Sequence, residues 1–323
     1  MSHTRGQVAR SPHEFPLLGW WDILQRTVKK MLDDNLSLIA AGVGFYFLLA
    51  VFPMIAALVS VYGLVVSPDE LQQQMAFLVG FIPEQSRDII ESQIERIMGK
   101  SEAALSTGVI ISISFAVWSA SKGAQAMITA CNITYGQKQK RGFLMKVLMR
   151  LVFTLSAVLI LALALFCIAV MPLLFNYIGL KHYSSILVQW LTWPFLAIMF
   201  NLALSSFYRY GPHRHLAKWR WVTPGAILAS TMWIAFSFGF SFYLTQFAHY
   251  DKTYGSLGSV VVLLMWFYLS AYIILFGAEF NAAMEHQTLE DSTTGREKEM
   301  GQRGAFVADT IPDDLQKHQQ NDS

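Results

Sequence analysis

Between Thr253 and Ala282 the chain carries a single ionisable carboxylate, Glu279, in a stretch long enough to cross about 30 Å of hydrocarbon as a helix. An unpaired carboxylate there is costly, so Glu279 is a candidate for ion coupling or for a helix-locking pair. Its natural partner is Lys122, a cation well inside another apolar run and about 15 Å of helical rise from that run's end. A lysine can extend toward the interface, so the two charges can meet if their helices touch. Two readings of such a pair stand side by side. One is a proton- or ion-coupling pair, or a headgroup contact, facing a cavity; the other is a structural ion pair. Ser119, Ser121 and Gln125 surround Lys122 in sequence and need somewhere other than lipid to point. At the other end of the Glu279 stretch, Gly255-Ser256-Leu257-Gly258 offers either a simple re-entry turn or exposed amides that would favour an anion.

No enzymatic motif accompanies these residues. The eight histidines scatter along the chain, and His213-x-His215 has no third ligand nearby. There is no H-E-x-x-H, no phosphate-binding glycine loop and no G-x-S-x-G elbow. Neither a metal, a cofactor nor an enzymatic activity is expected.

The elements that must hold these residues follow from composition. Hydrophobic residues make up 54% and charged residues 14%, which is a membrane composition. Apolar runs fall at about 36–66, 104–131, 147–171, 186–208, 222–248 and 255–281, with Pro53 expected to tilt or kink the first. Lys and Arg alternate between the connecting segments. Seventeen lie in 1–35, 133–146, 208–221 and the tail, against five in 67–103, 172–185 and 249–254. The positive-inside rule then puts both termini in the cytoplasm. The fold class is therefore all-α, a polytopic bundle of six transmembrane helices. Residues 1–34 read as polar, so 1–35 is a cytoplasmic segment, 36–283 the membrane domain, and 284–323 an acidic, disordered, solvated tail.

Residues 67–103 form the one sizeable extracytoplasmic loop. Ile89, Ile90, Ile94, Ile97 and Met98 share one helical side there, so the loop reads as an amphipathic cap or as a plain helical hairpin. In the second run, Gly108, Ser112, Ala116, Ala120 and Ala124 repeat every four residues. That small-residue face lets neighbouring backbones approach closely. Cys131 and Cys167 fall near opposite ends of their helices, which argues against a disulfide between them. A net charge of +2 argues against a nucleic-acid partner. The basic residues near 209–220, interleaved with Trp219 and Trp221, suit anionic lipid headgroups and suit the topology rule equally.

Several stretches together resemble one family. They are Ala40-Ala41-Gly42-Val43-Gly44-Phe45-Tyr46 through Phe52-Pro53, Trp118-Ser119-Ala120-Ser121 with Asn132 and Tyr135, and Lys140-Arg141-Gly142-Phe143. The strongest is Tyr254-Gly255-Ser256-Leu257-Gly258 through Gly277-Ala278-Glu279-Phe280-Asn281. Over about residues 20–285 the chain resembles the YihY/BrkB family of bacterial inner-membrane proteins. The resemblance implies six membrane helices and little about activity, although members have carried labels as a tRNA-processing ribonuclease and as a serum-resistance factor. It adds Asn132 and Tyr254 to Lys122, Glu279, Ser119, Gln125, Gly255 and Gly258 as candidate binding or coupling residues.

Two functions compete. The first is a transporter or flippase-like exporter of a lipid or amphiphile. The second is a non-catalytic scaffold or assembly partner that binds other membrane proteins or a second copy through its small-residue face. A membrane-bound hydrolase is a third reading, without a nucleophile or metal motif to support it.

Overall fold

The structure is a computed structural model that describes residues 5–62, 102–177, 184–247, 257–312 and 315. Among them, six helices run 27 to 35 residues each. A shorter helix, α1 (Leu17–Asp33), precedes α2 (Leu36–Tyr62), α3 (Glu102–Thr134), α4 (Phe143–Tyr177), α5 (Ser184–Tyr210), α6 (Trp219–Phe247) and α7 (Leu257–Gln287). One helical turn, α8 (Phe306–Asp309), lies in the tail. The described residues form no strand beyond an isolated antiparallel bridge between Ala217 and Thr293.

Four helices are long and apolar enough to cross a membrane: Leu36–Pro53, Phe143–Ala164, Trp219–Thr245 and Gly258–Gln287 among the described residues. The other two expected runs, 104–131 and 186–208, fall on α3 and α5, which are of similar length. The expected cap, apart from its last two residues at the start of α3, lies outside the described residues, as do Tyr254 and Gly255. α2 continues as a helix through Pro53.

By its contacts the chain divides into two compact units. The first holds Met1–Leu36, Ile128–Trp233 and Ile273–Ser323, and the second holds Ser37–Met127 and Ile234–Tyr272.

In the second unit, small residues set the distances between helices. A Cβ on Gly44 would lie 2.9 Å from the Tyr268 nitrogen, and one on Gly123 would lie 2.9 Å from the Phe47 ring. The Phe47 and Phe267 rings meet edge to face at 6.0 Å, and Ser37 Oγ lies 2.9 Å from the Tyr268 hydroxyl. Phe240, Leu244 and Val262 form a buried cluster with Phe236, Met265 and Trp266 against it.

In the first unit, α6 and α7 touch backbone to backbone. A Cβ on Gly225 would strike the Gly277 carbonyl, and one on Gly277 would lie 2.5 Å from the Gly225 carbonyl. Asn281 clamps this crossing, accepting from the Gly225 amide at 2.7 Å and donating to the Val222 carbonyl at 2.8 Å. α3 ends in a Schellman motif: Gly136, at φ +63°, donates to Ile133, and Gln137 donates to Asn132. Arg141 satisfies the end of α5 by donating to the carbonyls of Tyr210, Gly211 and Pro212.

Two segments differ from the sequence expectation. The stretch read as polar, 1–34, contains the amphipathic helix α1, whose inner face buries Gly19, Asp22, Ile23, Arg26, Thr27 and Met31. The tail expected to be disordered is folded over its described residues. Thr288 donates to the Ala9 carbonyl at 2.6 Å, and the Leu289 amide donates to Gln7 at 2.8 Å. Arg303 donates to the carbonyls of Leu289, Glu290, Lys298 and Ala308, while Asp309 accepts from the amides of Gly301, Arg303, Gly304 and Ala305. These bonds are long-range or backbone-directed, so a composition poor in aromatics conceals them.

Candidate functional site

Glu279 lies in the first unit with its side chain buried and its Oε2 without a hydrogen-bond partner. An orphaned carboxylate oxygen is unusual, because buried polar atoms are nearly always paired. Glu279 lines a narrow cleft with about 10 Å³ of room, space for about one water molecule, shared with Arg26, Lys30, Thr134, His286 and Phe306. The walls come from α1, the end of α3, α7 and the tail.

Several cleft groups are already bonded. Arg26 donates to the Ala283 carbonyl at 3.1 Å. Lys30 lies 3.9 Å from the Asp34 carboxylate, one helical turn on. Burial pushes the Asp34 carboxyl above the usual aspartate range, with Lys30 opposing the shift and Asp33 adding to it. The Thr310 hydroxyl lies 3.0 Å from Nε2 of His286. The cleft is thus a cationic recess around one carboxylate, with the tail as part of its wall.

Beside it lies a second buried network. Nη2 of Arg214 donates to both oxygens of Glu285 at 2.8 Å, Ser292 donates to the same carboxylate at 2.9 Å, and the guanidinium sits 4.6 Å from the centre of the Tyr135 ring. Burial, then the Glu285 charge, drives the Tyr135 phenol well up, with Arg214 opposing, so it stays neutral at any physiological pH.

The candidate residues separate by surroundings. Asn132 is buried and structural in its bonding: Oδ1 accepts from the His213 amide at 2.7 Å and Nδ2 donates to the Ile128 carbonyl. It ties the end of α3 to the loop that carries Arg214. Lys122 lies in the second unit, with Nζ 5.9 Å from the centre of the Trp118 ring. Ser119 is buried there with no partner for its hydroxyl, Gln125 is exposed on the same helix, and Gly258 is buried in the first turn of α7. Thus Glu279 and Asn132 belong to the first unit, and Lys122, Ser119, Gln125 and Gly258 to the second.

Sequence reasoning missed Arg26, Arg214, Asn281, Glu285, Asp291 and Arg303 as network residues. Asn281 and Arg214 were visible, one within the family motif and the other as a topology cation, but neither type betrays its partner. Asp291 accepts from the Thr293 amide and hydroxyl and from the Lys298 amide. Burial works to raise this carboxyl, and those hydrogen bonds outweigh it, leaving it below the usual aspartate range. Among the described residues, no group of three or more His, Cys, Asp or Glu side chains could hold a metal ion.

Comparison with known proteins agrees with a membrane chain. A family model described as virulence factor BrkB matches residues 27–302. The chain is similar to the ribonuclease-like protein YfkH of Bacillus subtilis (strain 168), at 29% identity over 251 residues, 76% of this chain and 88% of that one. It is also similar to a UPF0761 membrane protein of Pseudoalteromonas translucida (strain TAC 125), at 23% identity over 298 residues, 90% of this chain and 94% of that one. A shorter match, 37% identity over 83 residues, links it to a UPF0761 membrane protein of Stenotrophomonas maltophilia (strain K279a), covering 26% of this chain and 19% of that one. No solved structure matches.

Proposed function

The chain belongs to the virulence factor BrkB family of membrane proteins, and from that premise we propose that it is a transporter or flippase-like exporter of a lipid or amphiphile. In this reading six helices cross the bacterial inner membrane and both termini are cytoplasmic, which the distribution of Lys and Arg favours. One observation carries the proposal: Glu279, on a membrane-crossing helix, is buried with an unpartnered oxygen in a cleft lined by Arg26, Lys30 and His286. An ionisable group so placed is suited to take up and release a proton, or to meet a polar headgroup. Lys122 is its proposed counter-charge, and Ser119, Gln125, Asn132, Tyr254, Gly255 and Gly258 are the other proposed binding or coupling residues. The reading is non-enzymatic, and the ribonuclease-like name is that of the Bacillus relative.

A scaffold or assembly partner, binding another membrane protein or a second copy, is the second reading. What favours it is the narrowness of the cleft and the number of buried polar groups locked in structural bonds, Arg214, Glu285, Asn281 and Asn132 among them.

Purified protein in liposomes, assayed for movement of labelled phospholipid and of organic anions under a proton gradient, tests the first reading. Movement should occur, fall at least about tenfold in Glu279→Gln, and respond non-additively when Lys122→Met is combined with it. Absence of movement across several substrate classes sinks the transporter and leaves the scaffold. Additive effects of the two substitutions sink the pairing alone.

A further inference from the structure

α1 (Leu17–Asp33) has two faces, and only one of them is used by the protein. The inner face carries Ile23, Arg26, Thr27 and Met31, all buried in the first unit. The outer face exposes Leu17, Trp21, Leu24, Val28 and Leu32, at 88%, 58%, 41%, 49% and 70% of their full accessible surface. At 100° per residue these five fall within an arc of about 80°, a continuous apolar stripe along the helix. Apolar surface of that extent on a helix needs a covering.

Two attachments say what the covering is. The inner face is fastened to the end of α7, a membrane-crossing helix. Trp20 stacks on Phe280 at 6.0 Å with the ring planes 13° apart, and Arg26 donates to the Ala283 carbonyl. α1 is therefore held at the depth of residues 280–283, within the last turns of α7. At its other end only Asp34 and Asn35 separate it from α2, also long and apolar enough to cross. Asn35, at φ +50°, makes the turn between them in the left-handed region that asparagine tolerates. A helix tied at both places to the margin of the hydrocarbon meets headgroups on its outer side. The residues on it suit that layer: a tryptophan within the stripe, and exposed Lys29 about 60° beyond its edge.

We propose that α1 is a membrane-surface helix, lying in the headgroup layer with the Leu17–Trp21–Leu24–Val28–Leu32 stripe sunk into the acyl boundary of the leaflet on the side of the termini. The bilayer surface is the occupant of this face. Its opposite face supplies Arg26 and Lys30 to the Glu279 cleft, so one helix is wall to both. The inference rests on the contacts of α1 and holds whether or not the protein transports anything.

Site-directed spin labelling of the full chain in phosphatidylethanolamine–phosphatidylglycerol vesicles tests it. Labels are placed singly at Trp21→Cys, Leu24→Cys and Val28→Cys, with Asp33→Cys as the aqueous reference, all with Cys131 and Cys167 replaced by serine. Collision with oxygen should exceed collision with a water-soluble nickel chelate at 21, 24 and 28, and the order should reverse at 33. Equal nickel access at all four positions would show the stripe facing water and overturn the proposal. Immobile labels shielded from both reagents would show a protein covering, a second copy or another chain, and would overturn it too. A cysteine-free measurement guards against misfolded variants: quenching by lipids brominated in the upper acyl chain should lose a component in Trp21→Phe. Unchanged quenching in that variant counts against the proposal.

Discussion

Arg214 and Glu285 meet in a fully buried ion pair, in which Nη2 of the arginine reaches both carboxylate oxygens at 2.8 Å and neither side chain keeps any exposure. The arginine comes from the loop after α5 and the glutamate from the last turn of α7. Ser292 of the tail and Tyr135 at the end of α3 complete the shell. Three stretches distant in sequence, the end of α3, the loop after α5 and the end of α7 with the start of the tail, are thus fixed by one charge pair. Removing one partner strands a buried charge, whereas removing both does not. Arg214→Met or Glu285→Gln alone should cost roughly 3–5 kcal/mol, and the double variant distinctly less than their sum. Thermal unfolding in detergent measures this; strict additivity would show that the pair is not coupled.

The contact of Gly225 with Gly277 leaves no room for a methyl group, since a Cβ on either glycine meets the other's carbonyl oxygen. Gly225→Ala must also push into Asn281, whose amide holds both the Gly225 amide and the Val222 carbonyl. A loss of about 1–3 kcal/mol is expected from overpacking, more if the Asn281 bonds break. Gly239, with open space around its Cβ position on the same helix, is the control: Gly239→Ala should be neutral or slightly stabilising. Equal behaviour of the two variants would refute the close crossing.

Arg303 holds the tail together through four backbone carbonyls, with Asp291 at 4.0 Å. Arg303→Ala leaves those acceptors unpaired, which should destabilise the fold by at least about 2 kcal/mol. Arg303→Lys should recover only part of that, because an ammonium cannot reproduce the planar fork. Protease sensitivity between residues 289 and 310 should rise in parallel. Wild-type resistance in Arg303→Ala would mean that the tail is held by something else.

The all-α class and the membrane composition could be read from the sequence because hydrocarbon demands long uncharged runs, and those need no partner to be recognised. Glu279 could be read for the same reason: one charge in such a run stands out. α1 was harder. Its apolar residues are spaced three and four apart among Gln25, Lys29 and Lys30, so a search for contiguous runs passes over it. The tail was hidden more deeply. Its order depends on Arg303, Asp309 and Thr288 finding backbone partners, some of them nearly the whole chain away, and no local pattern announces that. Asn132 and Asn281 lay in recognisable motifs, yet their bonds to the His213 amide and to Val222 and Gly225 show a structural use that residue type alone could not reveal.

His213 offers a test of pH dependence outside the membrane-crossing segments. Burial, followed by the charges of Arg141 and Lys140, lowers it below the ordinary histidine value of 6.5. The unfolded chain then binds the proton more tightly than the folded one. The stabilising contribution is whole above about pH 6.5 and declines as pH falls from there toward the lowered value. His213→Asn keeps the backbone amide that donates to Asn132, and should flatten the fall in melting temperature between about pH 7 and about pH 5. The difference between wild type and variant is the quantity to read. Asp291 does not interfere, because its lowered carboxyl matters only below the usual aspartate range. A variant whose melting temperature falls more steeply than that of wild type as pH drops from about 7 to about 5 would have the wrong sign.

Phe306, in the first position of α8, closes the Glu279 cleft from the tail side. Its ring centre lies 6.3 Å from that of His286, and a Cβ on Gly136 would lie 2.5 Å from its Cδ1. Gln137, with its amide turned to satisfy both neighbours, accepts from the Phe306 amide at 2.6 Å and donates to the His213 carbonyl at 3.2 Å. The ring is therefore positioned from both backbone and side chain, and nothing larger than glycine fits opposite it. Phe306→Ala should widen the cleft without unfolding the first unit. A cysteine at Ala282, buried in the cleft wall, should then react with a membrane-impermeant maleimide at least about tenfold faster than in the parent, in a background with Cys131 and Cys167 replaced by serine. Gly136→Ala should displace the ring in the same direction. It should also cost about 1–2 kcal/mol, because φ +63° is unfavourable for any residue with a Cβ. Phe306→Tyr, which keeps the ring, should label at the parental rate. Equal labelling in Phe306→Ala and Phe306→Tyr would show that the ring does not control access to Glu279.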